Sequence, residues 1–401
     1  MINLYKGAVL IDGLGREPLE DSVLAVENDT IVFSGKSSSY DAPAGANTIN
    51  LSGKTVIPGL IDCHIHMDLH GMADTSDENH VEEKLRSIRT AYNMKKTLQQ
   101  GITTVRNAGS VNHIDFAVKS AVEAGWFAGP RIFTSGQILS MTAQGNDYFK
   151  GMYREADGPD EVRKAAREQL KAGADFLKVM ATGAYMNPGG VPGAVQYGLD
   201  ELEVIVDEAN KLGLRVAAHA HGAQGIVNAA LAGVKTIEHG SFIDERGIEL
   251  MLEKNIYLVP TFVAGYHIFK NAKESGVPDF MIKKNRGMRK VRAESIKRAI
   301  KAGIKVAFGS DAGTSYNCHG LNAMELILWV KEGFMTPLQA LCSGTRIAAE
   351  AIGIEDRVGT LEKGKLADFV VVEGDLTTTL DPLIDRIKAV YKEGKEVSML
   401  N

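Results

Sequence analysis

Cysteine is scarce in this chain: Cys63, Cys318 and Cys342 are the three in 401 residues. An odd, sparse set argues against a disulfide framework and fits a reducing compartment. Neither charge sign is in large excess. The formal net charge is −5, so there is no basic footprint and no nucleic-acid partner is expected. No apolar run reaches transmembrane length, so no membrane partner is expected either. The first residues, Met1 to Gly7, lack a long apolar stretch, so no signal peptide is read and the expected location is cytoplasmic. Low-complexity tracts are missing as well. What is present is ordinary for a soluble globular protein, with 44% hydrophobic and 24% charged residues. The length suits one large domain and a smaller one.

The two ends of the chain share one style. Residues 8–13, 22–26 and 30–35 read as short strands, with a turn at Asn28-Asp29, and residues 367–374 and 389–395 return to that pattern. The middle alternates. Strand-like apolar runs open at Pro58 and recur at 103–107, 131–135, 176–182, 215–220, 236–240, 257–261 and 305–311. Amphipathic helical stretches lie between them, at 81–100, 115–125, 160–173, 200–213, 224–233, 245–254 and 281–303. Several end in glycine, as a helix C-terminus does. Residues 335–352 read as a further helix outside this repeat. Eight strand–helix units predict an α/β fold, a (β/α)8 TIM-like barrel over residues 58–358. A small β-sandwich domain is expected from residues 1–57 and 359–401 together. A doubly wound sheet is disfavoured, because no glycine-rich phosphate turn follows the first strand.

In such a barrel one set of strand ends builds the active site. Five of the ten histidines fall at these ends: His64, His66, His219, His221 and His239. His64 and His66 are two apart, so on a strand they face the same way and can grip one metal ion. Lys178 lies inside an apolar run on strand four. Burial of a lysine costs several kcal/mol and favours the neutral amine. Beside a metal site that amine can take up carbon dioxide and become a carbamate that bridges two ions. A lysine whose head reaches the barrel mouth and pairs with an acid is the alternative. Asp311 ends strand eight and is a candidate metal ligand and proton carrier; an N-cap is the plain reading.

Together these residues resemble the amidohydrolase superfamily. The match is His64-Ile65-His66, Lys178, His219, His239 and Asp311, in that order on strands one, four, five, six and eight. Residues 54–62 and 359–368 look like that family's flanking motifs. Within it, the zinc-dependent dipeptidases and carboxypeptidases of the Xaa-Pro dipeptidase or prolidase-like group are the nearest likeness. That group includes an ochratoxin-type amidase. Thr103-Thr104-Val105-Arg106, Ala218-His219-Ala220-His221-Gly222 and Glu238-His239-Gly240 carry this likeness. Two departures stand out: Asn107, where the family often has Asp, and Thr142-Ala143-Gln144-Gly145, where it often has Gly-Gly-His-Gly.

The resemblance implies an amide hydrolase with two divalent metal ions, zinc, bridged by carboxylated Lys178. The substrate class is a dipeptide or N-acyl amino acid with a free α-carboxylate, attacked by metal-activated hydroxide. A small-molecule substrate is thus the expected partner, and a homo-oligomer the expected assembly. The metal ligands are then His64, His66, Lys178, His219, His239 and Asp311. Asp311 shuttles the proton, and His221 donates a hydrogen bond to the substrate carbonyl. His221 lies one strand step beyond His219, about 6–7 Å, too far to share the metal easily. Arg106 is the candidate anchor for the carboxylate, with a structural ion pair as its alternative. Tyr185 and Asn187 are candidate pocket residues after strand four, and Tyr266 and His267 after strand seven. Three other functions stay open. A mononuclear deaminase relies on a Glu three residues after the strand-five histidine, where this chain has Gly222. A lactonase or phosphotriesterase uses the same ligands. A relative without catalysis would lack some of them.

Overall fold

The structure, a computed structural model, describes residues 2–271 and 276–398. Met1 and residues 399–401 of the expected terminal domain lie outside the described residues.

Both ends of the chain enter one sheet. Ile2–Leu10, Leu19–Glu27 and Thr30–Lys36 form an antiparallel meander. Lys54–Pro58 runs parallel to the first of these and antiparallel to Phe369–Glu373, which in turn pairs with Ile387–Lys392. The two-residue period of a strand decides what each face does. Phe369 and Val371 join Tyr5, Leu24, Val56 and Tyr391 in the sheet's own core. Val370 and Val372 point the other way, into the barrel core with Ile57 and Leu60. The sheet is thereby glued to the barrel by alternate residues of a single strand.

The barrel strands are Leu60–Ile65, Ile102–Asn107, Arg131–Thr134, Phe176–Met180, Arg215–Ala220, Thr236–His239 and Tyr257–Val259. The eighth, expected at 305–311, is not a regular strand, but it closes the ring. Leu258 N donates to Lys305 O on one side; on the other, Cys63 N donates to Phe308 O and Asp311 N to His64 O. Asp62 reinforces that seam. Its carboxylate accepts from Ser310 N (3.0 Å), the Ser310 hydroxyl (2.5 Å) and Asn322 Nδ2 (2.8 Å). Cys63 faces outward and packs with Tyr257, Val259 and Ala348.

The helices fall where the periodicity predicts, and those ending before Gly173, Gly233 and Gly303 stop at a left-handed glycine. Two differences have local causes. Residues 335–352 form two helices, Pro337–Ser343 and Arg346–Ile352. Between them Gly344 packs so tightly that a Cβ would stand 2.9 Å from Leu326. Phe262–Lys270 is a further helix after strand seven, with Phe262, Val263, Ala264, Gly265, His267 and Ile268 all buried. A helix buried on most sides shows no amphipathic period. Among the described residues, no helix is long and apolar enough to cross a membrane.

Candidate metal centre and active site

The strand ends bring His64, His66, Lys178, His219, His239 and Asp311 to one cavity at the barrel mouth. His66 lies just past strand one, and its Nε2 and that of His64 both stand 3.5 Å from Asp311 Oδ1. The backbone is forced at three neighbouring strand ends. His239, Thr261 and Asp311 have φ of 72°, 49° and 59°, a left-handed region that non-glycine residues rarely adopt. Such strain persists at functional sites because the surroundings dictate it.

Three of the imidazoles are held by their other nitrogen. His66 Nδ1 faces the Gly109 carbonyl at 3.1 Å, so it must carry the proton. His64 Nδ1 donates to Glu238 Oε2 at 2.6 Å. His239 Nδ1 is 2.7 Å from the Thr261 hydroxyl. The Nε2 lone pairs of His64 and His66 therefore point at a carboxylate oxygen. Lone pairs facing a carboxylate repel unless a proton or a cation lies between them. Protonation is disfavoured here. Burial, and then the Lys178 charge, push His64 down to about 4. Burial and the neighbouring imidazoles hold His219 and His239 well below the ordinary histidine range. Neutral imidazoles beside a carboxylate are metal ligands in waiting.

Two further atoms complete this fit. Lys178 Nζ and His219 Nε2 are buried and have no hydrogen-bond partner. Burial lowers the Lys178 amine to about 8, with Glu238 and Asp311 acting against that shift and Arg106 adding to it. One donor atom from each of His64, His239 and Asp311 lies within 4.8 Å of the others, and so does one from each of His219, His221 and His239. The residues present thus fit divalent metal.

The structure separates the expected substrate residues. Arg106 does not reach the cavity. It turns into the barrel, where Nη2 meets Glu238 Oε1 at 2.7 Å, Nη1 meets the Thr236 hydroxyl at 3.0 Å and Nε meets Cys63 O at 2.6 Å. A buried guanidinium with a buried carboxylate beside it is the structural pair weighed above, so the carboxylate-anchor role is corrected. Glu238 is the residue that sequence reasoning missed. Burial raises its pKa, but Arg106, Lys178 and His64 overcome that and hold it well below the usual carboxylate range. An acid inside an apolar strand, next to the candidate ligand His239, was the available signal.

His221 is also placed differently from its spacing. Strand five ends at Ala220, so the extended rise no longer applies. The His221 ring lies 4.7 Å from that of His219, closer than the 6–7 Å of an extended step, and stacks on His239 at 4.9 Å. Its Nδ1 is 2.8 Å from the Ser241 hydroxyl and its Nε2 has no partner. Tyr185 and Asn187 line the cavity as expected; Tyr266, His267 and Gln144 do not. Asn107 is buried and holds Met67 N and the Thr134 hydroxyl, away from the cavity. The remaining wall is apolar: Leu69, Ile138, Phe149, Met152, Met180 and Met186.

The amidohydrolase family model matches residues 55–397. The chain belongs to the amidohydrolase family. This is the family its motifs resemble, and it places the chain among hydrolases of amide C–N bonds. A curated relative, ochratoxinase of Aspergillus niger, is 32% identical over 98% of this chain and 84% of its own. Among solved structures, a Xaa-Pro dipeptidase with bound methionine superposes with a TM-score of 0.91 at 30% identity, covering 99% of both chains. A prolidase complexed with N-methylphosphonate-L-proline gives 0.91 at 32% identity over 100% of both.

Proposed function

We propose that this amidohydrolase cleaves the amide bond of a dipeptide or N-acyl amino acid with an apolar side chain, using two zinc ions bridged by carboxylated Lys178. The observation that carries this reading is that the His64 and His66 lone pairs, the Asp311 carboxylate and the orphaned Lys178 amine share one buried cavity. His64, His66, Lys178, His219, His239 and Asp311 would hold the metal. When bound, the metal polarises the carbonyl and lowers the pKa of water.

The chain's own residues supply the rest. Asp311 accepts a proton from the attacking water and returns it to the leaving amine. His221 Nε2, with Ser241 donating to Nδ1, carries a proton and donates to the carbonyl oxygen as charge develops there. Glu238 fixes the His64 tautomer. The apolar wall excludes water and receives the side chain. The ochratoxinase and prolidase relatives favour an amide over a lactone or phosphotriester. A deaminase is disfavoured by the backbone: a Cβ on Gly222 would stand 2.2 Å from the Gly193 carbonyl oxygen, so no glutamate fits there.

The test is a screen of dipeptides and N-acyl amino acids against zinc-loaded enzyme, with lactones and phosphotriesters as controls. Turnover of amides with apolar side chains is expected. Turnover confined to lactones or triesters contradicts the reading.

A further inference from the structure

We propose that Lys284 is a positioning residue for the substrate cavity: its ammonium clamps the turn at 187–190 and so fixes the wall formed by Ala184, Tyr185, Met186 and Asn187. The effect on turnover rests on the amide-hydrolase reading above; the clamp itself does not.

Lys284 lies in the second turn of the helix Asp279–Ala302 and is half-buried. Its Nζ donates to Asn187 O at 2.7 Å, to Pro188 O at 3.4 Å and to Gly190 O. An ammonium has three N–H donors, and these three backbone carbonyls use them all. The Phe280 ring, one turn earlier on the helix, has its centroid 5.5 Å from the charge. No acid holds this amine up; burial alone shifts it, and shifts it down. A lysine on a surface helix ordinarily keeps its head in water or beside an acid. Here every donor goes to a single turn.

That turn has little else to hold it. Among the described residues, the one backbone–backbone bond in which residues 184–190 take part is Gly190 N to Asn187 O at 3.1 Å. The chain does fit closely there. A Cβ on Gly189 would stand 2.2 Å from the Gln144 side chain, and one on Gly190 2.5 Å from Ala184 O. A segment with so few bonds of its own is the kind that opens locally unless an outside group ties it down.

The cavity wall is what the tie controls. Residues 184–187 line the cavity. Asn187 Oδ1 is buried and has no partner, and the backbone oxygen of the same residue is the one that Lys284 grips at 2.7 Å. The place of that free acceptor is thus set from outside the cavity. The candidate metal ligands lie at strand ends, which Lys284 does not touch. Losing the clamp should therefore weaken substrate binding and spare the chemical step, which raises KM and leaves kcat.

The experiment measures N-acetyl-L-leucine hydrolysis by zinc-loaded wild type, Lys284→Met and Lys284→Arg. It also measures native-state cleavage by chymotrypsin after Tyr185, read by mass spectrometry in the same proteins. Lys284→Met should raise KM by about tenfold and keep kcat within about twofold, as expected for lost charge-assisted hydrogen bonds. Tyr185 is 3% exposed, so cleavage after it needs local opening and should quicken by about tenfold. Cleavage after Trp126, 78% exposed in the folded chain, should not change. Lys284→Arg keeps the charge and the donors and should restore most of both effects. Methionine fills nearly the volume of lysine, so a role in packing alone would survive Lys284→Met. Wild-type KM or wild-type cleavage after Tyr185 in Lys284→Met overturns the proposal, and so does a loss that arginine leaves uncorrected. If wild type cleaves no N-acyl amino acid, the amide reading has failed, and the cleavage after Tyr185 decides the clamp.

Discussion

In the terminal sheet, Phe369 stacks on Tyr391 at 4.3 Å and meets Tyr5 edge-on at 4.8 Å. Its buried polar side chains are paired: the Ser22 hydroxyl donates to Ala8 O, and the Thr55 hydroxyl to Gly374 O. At the barrel mouth, equally buried residues leave Lys178 Nζ, His219 Nε2 and His221 Nε2 without partners. Burial without satisfaction is costly. One region is thus arranged for stability, while the other leaves polar atoms free, as a binding site does. Four perturbations separate the two.

The largest effect is expected at Asp311→Asn. Its rate should fall by about 10²–10⁴-fold, the range for a lost general acid–base. Asparagine tolerates the left-handed backbone at this position, so the unfolding midpoint should stay near wild type. An active variant with normal metal removes Asp311 from its role. Phe369→Ala should do the reverse. It should cost about 3–5 kcal/mol of stability in denaturant unfolding, with kcat preserved. A collapse of kcat at full folding would erase the distinction between the regions.

Glu238→Gln probes the boundary between structure and chemistry. One amide oxygen cannot serve both His64 and Arg106, so metal affinity should fall by about 10–100-fold in chelator competition. Unchanged affinity means that Glu238 only braces the barrel. The smallest effect concerns pH. A lysine amine takes up carbon dioxide only when neutral, and burial lowers that of Lys178 to about 8. It is protonated below that value and neutral above it. At fixed dissolved carbon dioxide, reactivation of stripped enzyme should be about tenfold faster near pH 9 than near pH 7. A flat profile would contradict a carbamate.

The same contrast explains what the sequence disclosed. The six ligand candidates were legible because polar residues at the ends of apolar strands are out of place, and strand order brings such ends together. The terminal sheet was legible from matching strand patterns at both ends. Arg106 misled because its partner, Glu238, lies 132 residues away, and nothing local announces that pair. The position of His221 depended on a strand ending at Ala220, one residue before it, which spacing alone does not give. The helix after strand seven was lost because burial on most sides erased its period.

The proposed reaction requires that the orphaned atoms at the barrel mouth hold metal. Metal analysis of purified wild type beside Lys178→Ala, with the rate measured on the same samples, tests this most directly. Wild type should carry about two divalent ions per chain, and Lys178→Ala should lose at least one together with its activity. A Lys178→Ala protein with full metal and full rate, or a fully active wild type stripped of metal, would contradict it.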